Sequence, residues 1–477
     1  MVSKRSLLRL GTLTAFTPVV LFISRLLTCI GCVVVGPGLF LSLVPLIFWK
    51  FLVTLVCNLV SGGECREPLS FFDTVFAVDN FYTRPHASTL KCFILDGHLS
   101  LSDIRELFCN KILYKRISHG SEAKDRWQFQ RLHQVPRRFG WFYFWTEVPV
   151  NVDLHVKEAI LTDDMNKNGC GQKSVVILRV HHVIADGYSL NSIVDEMISK
   201  ESRYLVKEQE ELSLKQKLYF FWTAPAWIVN FFLEEMFAKN PINHRKEDTT
   251  GVLAITSIPL EVIKSIRRKT NCHFATIGLS LLGGALRRLF LETRQDINEI
   301  PDFLKIMHLL PRPDHPFDRM CNHWSAGSFK VSLKSHNALD RLNEAEEYFR
   351  GFTENNYQKL LDLQSTIANL LPAPIYSLVL SRKYLTNMSF TSLPGYDGQA
   401  QLCGHDIVDL YKVIGLQYKQ TALGAAAYSH NGQLAFSIFA NRDILPTQES
   451  GERLAQVHLQ AELAQLVELL ALDAEQV

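Results

Sequence analysis

Residues 181–187 read His181-His182-Val183-Ile184-Ala185-Asp186-Gly187 and set two imidazoles close to a carboxylate. A neutral imidazole is a base near neutral pH and can take a hydroxyl proton during nucleophilic attack. The run before it, residues 174–180, is apolar and β-branched and predicts a strand. Alternation puts Leu178, Val180 and His182 on one face, and Arg179 and His181 on the other. Asp186-Gly187 predicts a turn. Ser189 then caps a helix in which Leu190, Ile193, Val194, Met197 and Ile198 share a face. A histidine at a strand end, before a tight turn, is held rigidly, which suits a base. The plainer alternative is a pair of structural histidines beside a turn.

The chain that must position these residues has 477 of them, enough for two or three domains, with a net charge of +2. There is no basic stripe, so a nucleic-acid partner is not expected. Among the ten cysteines only Cys29 and Cys32 form a C-x-x-C pair, with no second pair nearby. Zinc needs four ligands, so these read as small apolar residues, and the spacing suits a reducing compartment.

Residues 7–60 are almost continuously apolar, with Arg9, Arg25 and Lys50 as the only charges. Residues 26–49 carry no charge, and a helix of about 20 residues crosses a bilayer core. This predicts a membrane anchor. It is either one kinked span or a hairpin of residues 10–35 and 39–60 turning at Gly36-Pro37-Gly38. Lys4, Arg5 and Arg9 point to a cytosolic N-terminus. A polar linker, residues 61–67, follows, and the soluble part starts near Pro68. Residues 89–95 predict a strand, and Ser102 caps a helix. Residues 217–233 are rich in Trp, Tyr and Phe, as in a helix lying on lipid headgroups or one buried between domains. Farther on the pattern predicts a long helix within 272–292, a strand at 305–310 and a helix at 339–361. Two strands, 425–429 and 433–439, join at His430-Asn431-Gly432, and a helix at 454–470 closes the chain.

The run 181–187 resembles the HHxxxDG signature of acyltransferases related to chloramphenicol acetyltransferase and peptide-synthetase condensation domains. More of the chain resembles one branch, the wax ester synthase/diacylglycerol acyltransferase family. Pro68-Leu69-Ser70-Phe71-Phe72-Asp73-Thr74-Val75-Phe76 is similar to its opening segment, and Asp153-Leu154-His155-Val156 to its D-x-H-V. Gly284-Ala285-Leu286-Arg287-Arg288 is similar to its GALRR helix, and Leu309-Leu310-Pro311-Arg312-Pro313 loosely to its PVSLR, with Asn322 following where a GN is expected. The most extended similarity is C-terminal: Thr386-Asn387, Pro394-Gly395, residues 407–414, and residues 425–443 ending in Asn441-Arg442-Asp443. It covers roughly residues 66–450. Two departures stand out. Phe274-Ala275-Thr276-Ile277 replaces a usual Asn-Asp pair, and the Ser-Asn-Val-Pro-Gly-Pro segment is broken up.

The resemblance implies an α/β (α+β) fold of two chloramphenicol-acetyltransferase-like, condensation-type domains with a tunnel at their interface, behind the N-terminal transmembrane anchor. The expected boundaries are 1–65 for anchor and linker, 66–245 for the domain with His182, and 246–477 for the second domain. It implies His182 as general base, His181 as its catalytic neighbour, Asp186 pairing with a cation such as Arg179 to hold the loop, Gly187 giving the turn room, and Asn322 and Asn387 touching substrate. The implied substrates are acyl-CoA and a lipid alcohol, with no metal and no bound cofactor. No G-x-S-x-G elbow is present, which favours direct transfer over an acyl-enzyme. The expected location is the endoplasmic reticulum or plasma membrane, single- or double-pass, with the catalytic part cytosolic. The rivals are acyl transfer to a sterol or amine, a catalytically impaired lipid-binding protein, and a tethered interaction protein.

Overall fold

The computed structural model describes residues 36–62, 65–79, 85–117, 126–159, 173–200, 213–216, 251–294, 300–312, 315–316, 319–354, 365–366, 368–380, 387–415 and 421–472. The first half of the expected hairpin and the aromatic segment 217–233 lie outside these residues, as does the end of the helix expected at 339–361. Gly36-Pro37-Gly38 opens a helix, α1 (Gly36–Val60). Its window Leu43–Val60 is long and apolar enough to cross a membrane and is only 11% buried.

Residues 54–208 and 240–477 form one compact unit, whose described residues build three sheets. The polar linker at 61–67 is shorter than expected: Cys65 already opens β1 (Cys65–Pro68), which pairs with β4 (Phe142–Glu147), itself paired with β3 (Gln134–Phe139).

The second sheet runs β10 (Gln401–Leu402), β11 (His405–Ile414), β2 (Ser88–Asp96), β5 (Lys173–His181). Chain order and spatial order part here. Residues 401–414, inside the expected second domain, complete the sheet of the first. Val176, Leu178 and Val180 of β5 face inward, and Val175 and Ile177 outward, as alternation dictates. The inward face meets α3 (Leu101–Phe108) and α4 (Gly187–Ile198). The caps differ from expectation by a residue or more. Ser100 caps α3, two residues before Ser102. Asp186, not Ser189, caps α4, because a carboxylate three residues earlier reaches both exposed N–H groups.

The third sheet has the order β6-β13-β12-β9-β7-β8: Gly251–Pro259, Gln433–Asn441, Leu423–His430, Met388–Tyr396, Phe303–Pro311 and Trp324–Ser332. The expected hairpin joins β12 and β13, with Asn431 (φ 44°) and Gly432 (φ 75°) both left-handed, as a two-residue turn of this hand requires. Helices α5 (Phe274–Arg294), α6 (Ala338–Glu354) and α7 (Leu459–Leu469) pack against this sheet around its largest apolar cluster. Each fully buried Leu, Ile or Phe there contributes about 1.5–3 kcal/mol. α5 also contains a window apolar enough to span a membrane, Phe274–Thr293, but it is 72% buried and serves as a core helix. Between the three helices lies one carboxylate, Glu462 on α7, 3.0 Å from Arg288 Nε on α5 and 3.0 Å from Arg341 Nε on α6. Gly284 leaves room for that carboxylate, since a Cβ there would collide with it.

Candidate active site

His182 is the first residue after β5. Its N–H donates to Ala87 O at 2.7 Å, which extends the pairing with the neighbouring chain and fixes the backbone. The ring stacks on Phe76 of α2 (Phe71–Ala77), with centroids 4.0 Å apart and planes 21° from parallel. Asn322, from the loop before β8, holds its edge. Asn322 Nδ2 faces three acceptors: Asp73 Oδ1 at 2.9 Å, His182 O at 2.7 Å and Val183 O at 3.1 Å. A reversed amide would set oxygen against oxygen three times, so the orientation is fixed. Asn322 Oδ1 then lies 3.0 Å from His182 Nδ1 and must accept its proton. The proton sits on Nδ1, and Nε2 keeps the lone pair. Burial pushes the imidazole down to about 4, against the opposing pull of Asp186, so the ring is neutral at physiological pH.

Asp73 anchors this arrangement. It forms a capping box with Ser70 at the start of α2 and turns its other oxygen to Asn322. Burial raises its carboxyl, while Arg131 and Asn322 draw it back. Sequence reasoning placed Asp73 in a family-like segment but gave it no task.

The two histidines have different surroundings. Val183 N–H donates to His181 Nδ1 at 3.1 Å, so Nε2 carries the proton, 3.1 Å from Asp79 Oδ2. Both His181 nitrogens are therefore engaged in holding the turn.

Asp186 is 2% exposed. Oδ1 takes the N–H groups of Tyr188 and Ser189; Oδ2 takes His323 N–H at 2.9 Å and faces His315 Nε2 at 2.9 Å. Burial pushes this carboxyl up, but the hydrogen bonds outweigh it and hold it below the usual carboxylate range. The direct partner is thus His315 rather than Arg179, which points to Ser88 Oγ at 3.3 Å on the sheet's other face. Asp186 N–H also donates to Cys321 O, and Ser189 Oγ bridges to the same residue, so the segment carrying Asn322 is fastened to the turn. Asp186, His315 and Cys321 offer ligand atoms within 4.8 Å of one another. The carboxylate is already bonded to the imidazole, and burial lifts the Cys321 thiol to about 12. The trio is a hydrogen-bonded brace.

Gly187 opens α4, and a Cβ there would run into Lys412 Nζ. Lys412 on β11 stands opposite Lys91 on β2, which stands opposite Leu178 on β5, so both lysines point at α4. Lys91 is satisfied by Asn191 Oδ1 and Tyr428 OH.

Asn387 turns elsewhere. It is 1% exposed, its Oδ1 accepts Lys305 N–H at 2.8 Å, and its carbonyl accepts from Ala422 and Leu423. It pins three strands of the third sheet. Asn322, also expected at the substrate, spends its amide on the protein.

A mixed α/β core with these sheets is the fold of condensation-type acyltransferases. A trichothecene 15-O-acetyltransferase from Fusarium sporotrichioides superposes with a TM-score of 0.56 at 10% identity, covering 81% of this chain and 95% of its own. A starter condensation domain of rhizomide synthetase gives 0.51 at 8% identity, covering 86% and 96%. A wax ester synthase/diacylglycerol acyltransferase from Marinobacter aquaeolei VT8 gives 0.52 at 15% identity, covering 85% of this chain and all of that one. No curated protein sequence matches the chain. Within the class, residues 321–459 match the WS/DGAT C-terminal domain. On that match, the C-terminal part of the chain is similar to the wax ester synthase/diacylglycerol acyltransferases. The domain match and the fold together support acyltransferase activity.

Proposed function

We propose that the protein transfers a fatty acyl group from acyl-CoA to a lipid alcohol, diacylglycerol or a long-chain fatty alcohol, giving triacylglycerol or wax ester. The observation that carries this is the proton held on His182 Nδ1 by Asn322, which leaves Nε2 as a base in a family of ester synthases. The acceptor oxygen attacks the thioester carbon while Nε2 takes its proton. The tetrahedral intermediate then collapses, the C–S bond breaks, and the imidazolium returns the proton to the CoA thiolate. Acyl-CoA would enter a tunnel from one face and the alcohol from the other, meeting at His182. The helix α1 would hold the cytosolic catalytic part at a membrane where apolar substrates concentrate. No resident metal or cofactor takes part in this scheme.

The test is labelled acyl-CoA offered to a panel of diacylglycerol, long-chain alcohols, sterol and amine, with wild type and His182→Ala. Ester should form with the wild type alone. Equal activity in the variant would remove the base assignment. Acyl-CoA binding without any product would favour the lipid-binding reading, motivated by Phe274-Ala275-Thr276-Ile277 in place of the Asn-Asp pair.

A further inference from the structure

Two lysines facing each other across adjacent strands repel, and burial makes the repulsion worse. Lys91 offsets this with two hydrogen bonds and the Tyr428 ring. Lys412 does not: it is 2% exposed, and among the described residues its ammonium has no hydrogen-bond or ion-pair partner. Its tip lies against Gly187, the first residue of the twelve-residue helix α4. A helix N-terminus carries positive potential of its own, so a cation there is misplaced unless an anion joins it. Asp186 does so only partly, because its oxygens are committed to Tyr188, Ser189, His315 and His323.

We infer that Lys412 and the N-terminus of α4 form a binding site for an anionic acyl oxygen, that of a fatty carboxylate or of the tetrahedral intermediate beside His182. This rests on the acyl-transfer reading for the intermediate but not for the carboxylate. In the transfer step the C=O electron pair moves onto oxygen as the acceptor C–O bond forms, and it returns when the C–S bond breaks. The ammonium stabilises that charge without giving up a proton. The groups that face it are Lys91 on β2 and His182 and Asp186 before α4, while Asp195 on α4 and Tyr428 on β12 stand by its neighbour Lys91. Burial brings Lys412 down to about 7, with Asp186 opposing, so the cation is lost as pH rises past neutrality.

The experiment uses the full chain in detergent, with decanoate and uncharged decanol as probes in calorimetry, and acyl-CoA turnover alongside. Lys412→Met should bind decanoate at least tenfold more weakly and decanol unchanged, and Lys412→Arg should retain decanoate. Wild-type decanoate affinity should fall above about pH 7, and Lys412→Arg should abolish that fall. In turnover, Lys412→Met should lose about 10²–10³ in kcat with KM for acyl-CoA little changed, the scale of removing one oxyanion donor. Equal decanoate binding by wild type and Lys412→Met overturns the inference. Should Lys412→Met not fold, a wild-type decanoate affinity flat across pH 6–9 overturns it as well. Decanoate discrimination without any wild-type ester formation would sink the acyl-transfer reading and leave the anion site standing.

Discussion

The two halves of the catalytic unit each bury charge, and they do it in opposite ways. In the C-terminal half, Glu462 lies between Arg288 and Arg341, every oxygen is engaged, and three helices are tied together. Beside the histidine turn, two lysines face each other, one of them without a counter-charge in contact, and a carboxylate is braced by a histidine. A satisfied cluster is a scaffold that stays closed. A cluster with a surplus of one sign raises the free energy of the resting state, and a ligand can lower it. The comparison teaches where to look for chemistry: at the imbalance, not at the burial.

That contrast can be broken in measurable ways. The largest effect should come from His182→Ala, which removes the proposed base and should lower kcat by about 10²–10⁴ with the melting temperature held. A drop in melting temperature that accounts for the lost activity would make the turn another scaffold. Next is Glu462→Ala, which strands two guanidinium groups and should cost about 3–5 kcal/mol of unfolding free energy in denaturant titration. The folded fraction should keep the wild-type kcat; a catalytic defect there would erase the distinction between the two clusters.

Asn322→Ala should come third. It frees the imidazole to change tautomer and strands the Asp73 oxygen, so kcat should fall about 10–100-fold, with Asn322→Asp no better because a carboxylate cannot donate to Asp73. Smallest is the pH effect. Only the neutral ring is a base, and burial holds it down to about 4, so kcat/KM should show no loss as pH falls through 6.5. Loss of activity centred at 6.5 would mean that water reaches the ring freely.

Much of this was legible in the residues. The alternation in 174–180 placed Leu178 and Val180 inward, and Asn431-Gly432 marked the hairpin, because both signals are local. The split between His181 and His182 also followed from alternation, and the hydrogen bonds of the two rings differ accordingly. What stayed hidden depends on contacts across long stretches of chain. Asp73 and Asn322 are 249 residues apart, and Asp186 and His315 are 129 apart. No period or spacing rule links such pairs, so Arg179, the nearest cation in sequence, stood in for His315. Lys91 and Lys412, far apart in the chain, are set opposite each other only by strand pairing. Asn387 is a further case: its bond to Lys305 N–H joins residues 82 apart.

The placement of β11 has a consequence for how the protein comes into being. Without residues 405–414, β2 is an edge strand with a free row of peptide groups. During synthesis the first half leaves the ribosome long before that strand exists. Until then its sheet stays open and His182 lacks Asn322. An N-terminal fragment ending near residue 245 should therefore present an adhesive sheet edge where the full chain presents a paired strand.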